Sequence, residues 1–198
     1  MVAVPVVAAC VAAGGVLLVS GDDGSGGGAE APAGDVPVQF QDKESAGGGG
    51  GAAAGKDAGK AVTRAVRDYI KGIDERDGAR VCAVLAPGAI ESFQLPRVRG
   101  GCAPSLSASI GYRDPRGYPV FATARLDSIR DVAIGAADAR VTATVVTRFA
   151  DRDQPSIEDD LIYLVETGGG WRIAKPSSTL YRAVGKPQAP PQVLAPPG

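Results

Sequence analysis

Apolar positions recur at helical spacing over residues 56–77 and at every second position in the latter part of the chain. Between residues 56 and 77, Val62, Val66, Tyr69 and Ile73 fall on one face, with Ala65 and Ile70 beside them. That is the period of an amphipathic helix. Arg64, Arg67, Asp68, Lys71, Asp74 and Glu75 fill the opposite face and read as a solvated surface with helical ion pairs. Asp77-Gly78 breaks this helix, and Asp77 is placed to cap the next one. A short helix carrying Cys82 is predicted over residues 79–85, ended by Pro87-Gly88, with one more turn over 89–93. A third helix is predicted over 102–110, with Pro104 in its first turn, where proline is tolerated.

The period changes to two after Gly117. Residues 118–121 suit a strand start, and 124–134, 140–149, 157–166 and 171–174 read as strands. Turns are predicted at 135–138, 151–155 and 168–170. On the third strand, Ile157, Asp159, Leu161, Tyr163 and Val165 share one face. Helices followed by consecutive antiparallel strands predict an α+β domain with the helices packed on one sheet face.

The flanks have no such pattern. Residues 2–20 are apolar and uncharged, about the length of a membrane span. Three readings are ordered: an uncleaved anchor, then a cleaved signal peptide with a small-residue site at Ala31-Pro32-Ala33, then a lipoprotein. The last rests on Val7-Ala8-Ala9-Cys10, which resembles a bacterial lipobox with Cys10 as the lipidated residue. No Lys or Arg precedes Lys43, so the basic flank that orients an anchor is missing, which points to a start upstream of Met1. Residues 21–57 are dominated by glycine, including the block 47–51, and read as a flexible linker interrupted by the apolar segment 36–40. Beyond Tyr181 the chain is rich in proline, and a solvated polyproline-like tail is expected. The expected divisions are therefore 1–20 anchor or signal, 21–57 linker, 58–182 folded domain and 183–198 tail.

Composition narrows the chemistry. The chain has 198 residues and a formal net charge of −1, which argues against a general nucleic-acid binder. It contains no histidine. That excludes Ser-His-Asp and Cys-His catalysis, His-ligated zinc or haem, and a histidine pH switch within this chain. No cofactor is expected. Of the three cysteines, Cys82 and Cys102 lie in the domain. In an exported domain they most simply pair with each other. The rival reading is two free buried thiols.

Taken in order, several segments resemble one family. They are Tyr69-Ile70-Lys71-Gly72-Ile73-Asp74-Glu75-Arg76-Asp77-Gly78, then Ala79-Arg80-Val81-Cys82-Ala83-Val84-Leu85, and Gly101-Cys102-Ala103. Ala137-Asp138-Ala139-Arg140-Val141 and Gly169-Gly170-Trp171-Arg172-Ile173 complete the set. Over residues 58–182 the chain resembles the nuclear-transport-factor-2-like superfamily, also called SnoaL-like or ketosteroid-isomerase-like, in the two-cysteine form of exported actinobacterial proteins. The resemblance implies a curved antiparallel sheet wrapped around helices to form a cone with a pocket. It also implies that a proton-moving member would use a pocket carboxylate with an oxyanion-stabilising partner.

Asp159 and Tyr163 are the candidates for those roles, as base and hydrogen-bond donor, if their strand face lines the cone. The preferred reading is structural: an exposed strand start for Asp159 and a core aromatic for Tyr163. Trp171 is read as a core or rim aromatic and as a candidate ligand contact. Glu158, Asp159 and Asp160 alternate across a strand, so no metal site is expected. Arg97, Arg99, Arg113 and Arg116 read as solvated surface. The functional expectation is a membrane-tethered, extracytoplasmic, non-catalytic domain that binds a small molecule or an envelope protein. The alternative is an isomerase- or cyclase-type enzyme using a pocket carboxylate.

Overall fold

A computed structural model describes residues 51–93, 98–111, 120–186 and 188–197. The apolar run, Cys10, the segment 36–40, Arg97, Arg113 and Arg116 lie outside the described residues. Among the described residues, no helix is long and apolar enough to cross a membrane.

The first helix, α1 (Gly51–Asp74), buries Val62, Val66, Tyr69, Ile70 and Ile73, the stripe its period predicts. It starts five residues before the predicted boundary, inside the stretch read as linker. Its end is set by Arg76, whose φ of 57° is the left-handed conformation that stops helices. Arg76 also donates to the Phe121 carbonyl at 3.3 Å, and Asp74 accepts from the Ala124 N–H at 2.9 Å. These two residues pin the start of the first strand to the end of α1.

Asp77 caps α2 (Gly78–Val84) as predicted, accepting from the Arg80 N–H at 3.0 Å. A single 3-10 turn follows (Glu91–Phe93), then α3 (Cys102–Ser109). A Cys82–Cys102 disulfide joins α2 to α3, with Cα atoms 6.1 Å apart. The two helices approach so closely at Gly78 that a Cβ there would run into the backbone of Ala103 and Ser107. The Gly78 N–H donates to the Ser107 hydroxyl at 2.9 Å across the same contact.

Four antiparallel strands follow in the order β1-β2-β3-β4: β1 (Phe121–Ile134), β2 (Asp138–Phe149), β3 (Ser156–Thr167) and β4 (Gly170–Ile173). Register irregularities in β1 at Leu126/Ser128 and Ile129/Asp131 mark bulges, which bend a strand. The sheet is curled, and its inner face carries Ile129, Val132, Ala139, Val141, Ala143, Val145, Ile162 and Leu164, all buried. The free side of β4 is met by the chain leaving α2: Leu85 bridges Ile173, and the Ala86 N–H donates to the Ile173 carbonyl at 2.8 Å. The architecture is thus α+β, helices then an antiparallel sheet.

The C-terminal region differs from expectation. Two helices lie beyond β4, α4 (Ser178–Ala183) and α5 (Pro191–Leu194). The proline-rich segment is not a solvated tail: Ala189 and Val193 are buried in the main apolar cluster. Sequence periodicity has no purchase on helices this short, and packing against distant elements decides their conformation.

Gly78→Ala is expected to lower stability by about 1–3 kcal/mol through overpacking at the α2–α3 contact. Replacing both Cys82 and Cys102 by Ser is expected to cost about 3 kcal/mol. Urea midpoints of the purified variants check both.

Candidate functional site

Alternation along β3 decides where its acids point. Asp160, Ile162 and Leu164 face inward, and each is at most 1 % exposed. The register agrees, since Ala143 and Val141 of the inner face of β2 stand opposite Asp160 and Ile162. Asp159 and Tyr163 therefore lie on the outer face. The condition under which they would act as base and donor in a cone is not met by this sheet.

Asp159 is exposed, with a side-chain accessibility of 47 %. It accepts from the Thr144 hydroxyl at 2.7 Å and pairs with Arg130 at 3.3 Å. These are surface contacts of neighbouring strands. The Tyr163 hydroxyl does donate a hydrogen bond, at 3.2 Å, but to the backbone carbonyl of Leu194 in α5. Trp171 is half-buried on β4 opposite Glu166, at the edge of the apolar cluster, which fits the rim reading. Glu158 and Asp160 share a strand face that Asp159 does not, so the three acids do not converge on one point.

The polar cluster inside the domain is a different one. Both oxygens of Asp160 are engaged: they accept from the backbone N–H groups of Ser178 at 3.1 Å and Thr179 at 2.9 Å. The Tyr69 hydroxyl oxygen accepts from the preceding N–H, that of Ser177, at 3.0 Å. Three successive backbone donors at the start of α4 are thus satisfied by side chains from β3 and α1. Ser177, the N-cap residue, makes no side-chain cap of its own. Burial pushes the Tyr69 phenol well above its ordinary value, so it stays protonated. The Ser177 and Thr179 hydroxyls are buried beside this cluster without a protein partner among the described residues.

A second contact holds the other end of α4. Arg182 pairs with Glu158 at the rim of the inner face, and the Ser156 hydroxyl also donates to Glu158. Burial opposes the charged form of Glu158, but the Ser156 hydroxyl and the Arg182 guanidinium together hold its carboxyl below the ordinary 4.5. Beyond α4, the Lys186 ammonium donates to the Phe93 carbonyl at 2.8 Å and lies 4.8 Å from the Phe93 ring centre. Phe93 and Tyr181 meet edge to face at 4.6 Å. Burial lowers the Lys186 pKa.

The arrangement is suited to holding a helix more than to moving a proton. A general base needs a free oxygen within hydrogen-bond reach of the substrate, and both Asp160 oxygens already serve backbone donors. Sequence reasoning missed Asp160 because β3 is apolar on both faces. The signal that identifies it is the register with β2, where Arg140 and Arg148 alternate with Ala139, Val141, Ala143 and Val145 and so fix the inner face.

No protein-family model matches the chain, and no curated protein matches it in sequence. Among solved structures, it is similar to the protein named Putative Scytalone Dehydratase of Novosphingobium aromaticivorans DSM 12444. The identity is 13 % and the TM-score 0.36, over 61 % of this chain and 84 % of that one.

Asp160→Asn is expected to destabilise the domain by about 1–3 kcal/mol, because an amide nitrogen then faces a buried N–H. Asp159→Asn, which removes an exposed ion pair, is expected to change stability by less than about 1 kcal/mol. Thermal and urea melts of the two variants separate the faces. Glu158 has its pKa lowered on folding, so its stabilising contribution is complete above about pH 4.5 and is lost as pH falls through the lower folded value. The stability gap between wild type and Glu158→Gln should shrink on acidification below pH 4.5.

Proposed function

We propose that this chain is a membrane-tethered, extracytoplasmic domain of the nuclear-transport-factor-2-like plan that works by binding or protein interaction at the cell envelope. The observation that carries the non-catalytic part is the engagement of Asp160. The carboxyl group on the inner sheet face closest to the expected role of a pocket base has both oxygens taken by the start of α4. The element order supports the plan: amphipathic helix, two short helices, then four antiparallel strands curling over them. The Cys82–Cys102 disulfide supports an oxidising location, because such bonds persist outside the reducing cytoplasm. The uncharged run 2–20 and the glycine-rich stretch after it support the tether.

The enzyme alternative keeps one specific observation in its favour. The Ser177 and Thr179 hydroxyls are buried and unpartnered beside Asp160 and Tyr69, a polar patch of the kind a small ligand with donors and acceptors would complete. On that reading α4 shifts and frees Asp160 as a base.

Two measurements divide these readings. In intact bacterial cells expressing the full chain, the protein should fractionate with membranes and be cut by added protease. Cys82 and Cys102 should react with a maleimide only after reduction. A soluble cytoplasmic protein with both thiols reactive overturns the tethered reading. Proton exchange at the carbon next to a ketone in steroid-like and polyketide-like substrates should be absent; exchange abolished by Asp160→Asn in a folded variant establishes the enzyme instead.

A further inference from the structure

The outer face of the sheet carries an apolar pair that no described element covers. Ile157 is 65 % exposed, against 46 % for Leu194 and 40 % for Val98, the other exposed large apolar side chains among the described residues. It stands directly opposite Val146 on β2, and Arg125 of β1 lies on the other side of Val146 in the same cross-strand row. The next rows pair Thr144 with Asp159 and Thr142 with Leu161. Val146 and Leu161 are half-buried. Where one face of an antiparallel sheet is solvated, its outward positions are ordinarily polar. This end of the outer face instead presents three branched aliphatic side chains on two adjacent strands.

Charged groups of both signs surround this patch. Some pair within the chain: Arg130 meets Asp159, and Arg140 meets Asp131. Others do not. Among the described residues, the cations Arg125 and Arg148 and the anions Asp127, Asp151 and Asp153 have no ion pair. All five are exposed. Arg148 follows Val146 on the same face of β2, and Asp127 sits at the β1 bulge beside Arg125. Asp151 and Asp153 lie in the turn that leads to Ile157. A surface of one sign, such as an anionic lipid layer or a nucleic acid, would attract the two arginines and repel the three aspartates. A partner with an apolar centre and charges of both signs satisfies all of them, and a second copy of this same face is such a partner. Sheets also cover one another well, since two of them pack face to face with interdigitating side chains.

We propose that the outer sheet faces of two copies pack against each other around the Val146–Ile157 pair, with the unpaired charges of one copy meeting those of the other. Such a contact is isologous, so one self-complementary patch serves both sides. Its size sets its strength. The spacings of strands, about 4.8 Å, and of same-face rows, about 7 Å, give a patch of roughly 500 Å² per copy once the flanking turn is included. The total, about 1,000 Å², is that of a transient contact rather than an obligate one. The dimer is therefore weak in free solution, and it is favoured where a tether confines copies to one surface at high effective concentration. This dimer rests on the interaction reading of the domain and gives that reading a partner.

Sedimentation equilibrium of the full chain in mild detergent, carried to high concentration, reads the association. Wild type should pass from monomer to dimer as concentration rises. Ile157→Glu should weaken the dimer at least about 10-fold, whereas Val98→Glu, at the exposed aliphatic position before α3, should change it by less than about 2-fold. A charge exchange tests the face without assuming which groups meet. One chain carries Arg125→Glu and Arg148→Glu, and the other carries Asp127→Lys, Asp151→Lys and Asp153→Lys. Each should stay monomeric alone, and the two should form a one-to-one dimer when mixed. Melting curves and the intact disulfide establish that every variant is folded. A wild type that is monomeric throughout, a dimer that Ile157→Glu leaves unchanged, or exchanged chains that fail to pair on mixing overturns the proposal. The protease and maleimide measurements read the tether separately. A monomeric protein that is still cut at the cell surface removes this contact alone, and a dimer with the stated mutant pattern supports it wherever the protein resides.

Discussion

The inner face of the sheet is organised around the capture of one helix start by groups far away in sequence. α4 has six residues, and its own N-cap serine contributes no side-chain bond. Helices of this length do not form unaided. Tyr69 from α1 and Asp160 from β3 take three of the four backbone donors that such a start leaves unpaired. A carboxyl group 1 % exposed is tolerable there because both oxygens are hydrogen-bonded. Once α4 is set, Tyr181 meets Phe93, Lys186 reaches the Phe93 carbonyl and Arg182 meets Glu158. The placement of α4 therefore follows from contacts made by side chains 18 and 108 positions upstream.

The opposite end of the domain is fixed by different means. α2 and α3 are too short to bury much apolar surface, and they are joined by a covalent link together with a backbone approach that only glycine permits. The chain leaving α2 then covers the free side of β4 through Leu85 and Ala86. An uncovered strand edge is a template for pairing with other chains, so this contact also protects the domain from association along β4. Asp74 and Arg76 do comparable work where β1 begins. Both ends of the sheet are thus tied to the helical layer through residues at or just beyond helix ends.

Features governed by local chemistry were legible in the sequence. The buried stripe of α1, the Asp77 cap, the bounds of α2 and α3 and the four strands with their glycine and proline turns all follow from periodicity and breaker residues. The Cys82–Cys102 pairing was the simpler of the two readings that the cysteine count left open, and the structure has it. The face of β3 was not legible, because Leu161, Tyr163 and Val165 make the outer side nearly as apolar as Ile162 and Leu164 make the inner one. What fixes the face is pairing with β2, a non-local fact. For the same reason Asp159, the obvious acid in a polar strand start, is a surface residue, while its neighbour Asp160 has the buried role. α4 and α5 were invisible because their stability comes from side chains of other elements.

The C-terminal stretch is held at two places, the start of α4 and the turn of α5, by hydrogen bonds of different exposure. The bonds from Asp160 and Tyr69 are shielded from water, so breaking them leaves buried donors and acceptors unpaired at the full desolvation cost. The bonds from Lys175 face solvent, and water replaces each of them with small net change. Local opening follows the weaker set first. Release of α5 also exposes Ala189 and Val193, which are buried in the apolar cluster, so the Lys175 bonds alone do not set its cost. Freeing the Asp160 carboxyl must first dislodge a helix start held by three hydrogen bonds, two of them buried and one partly buried.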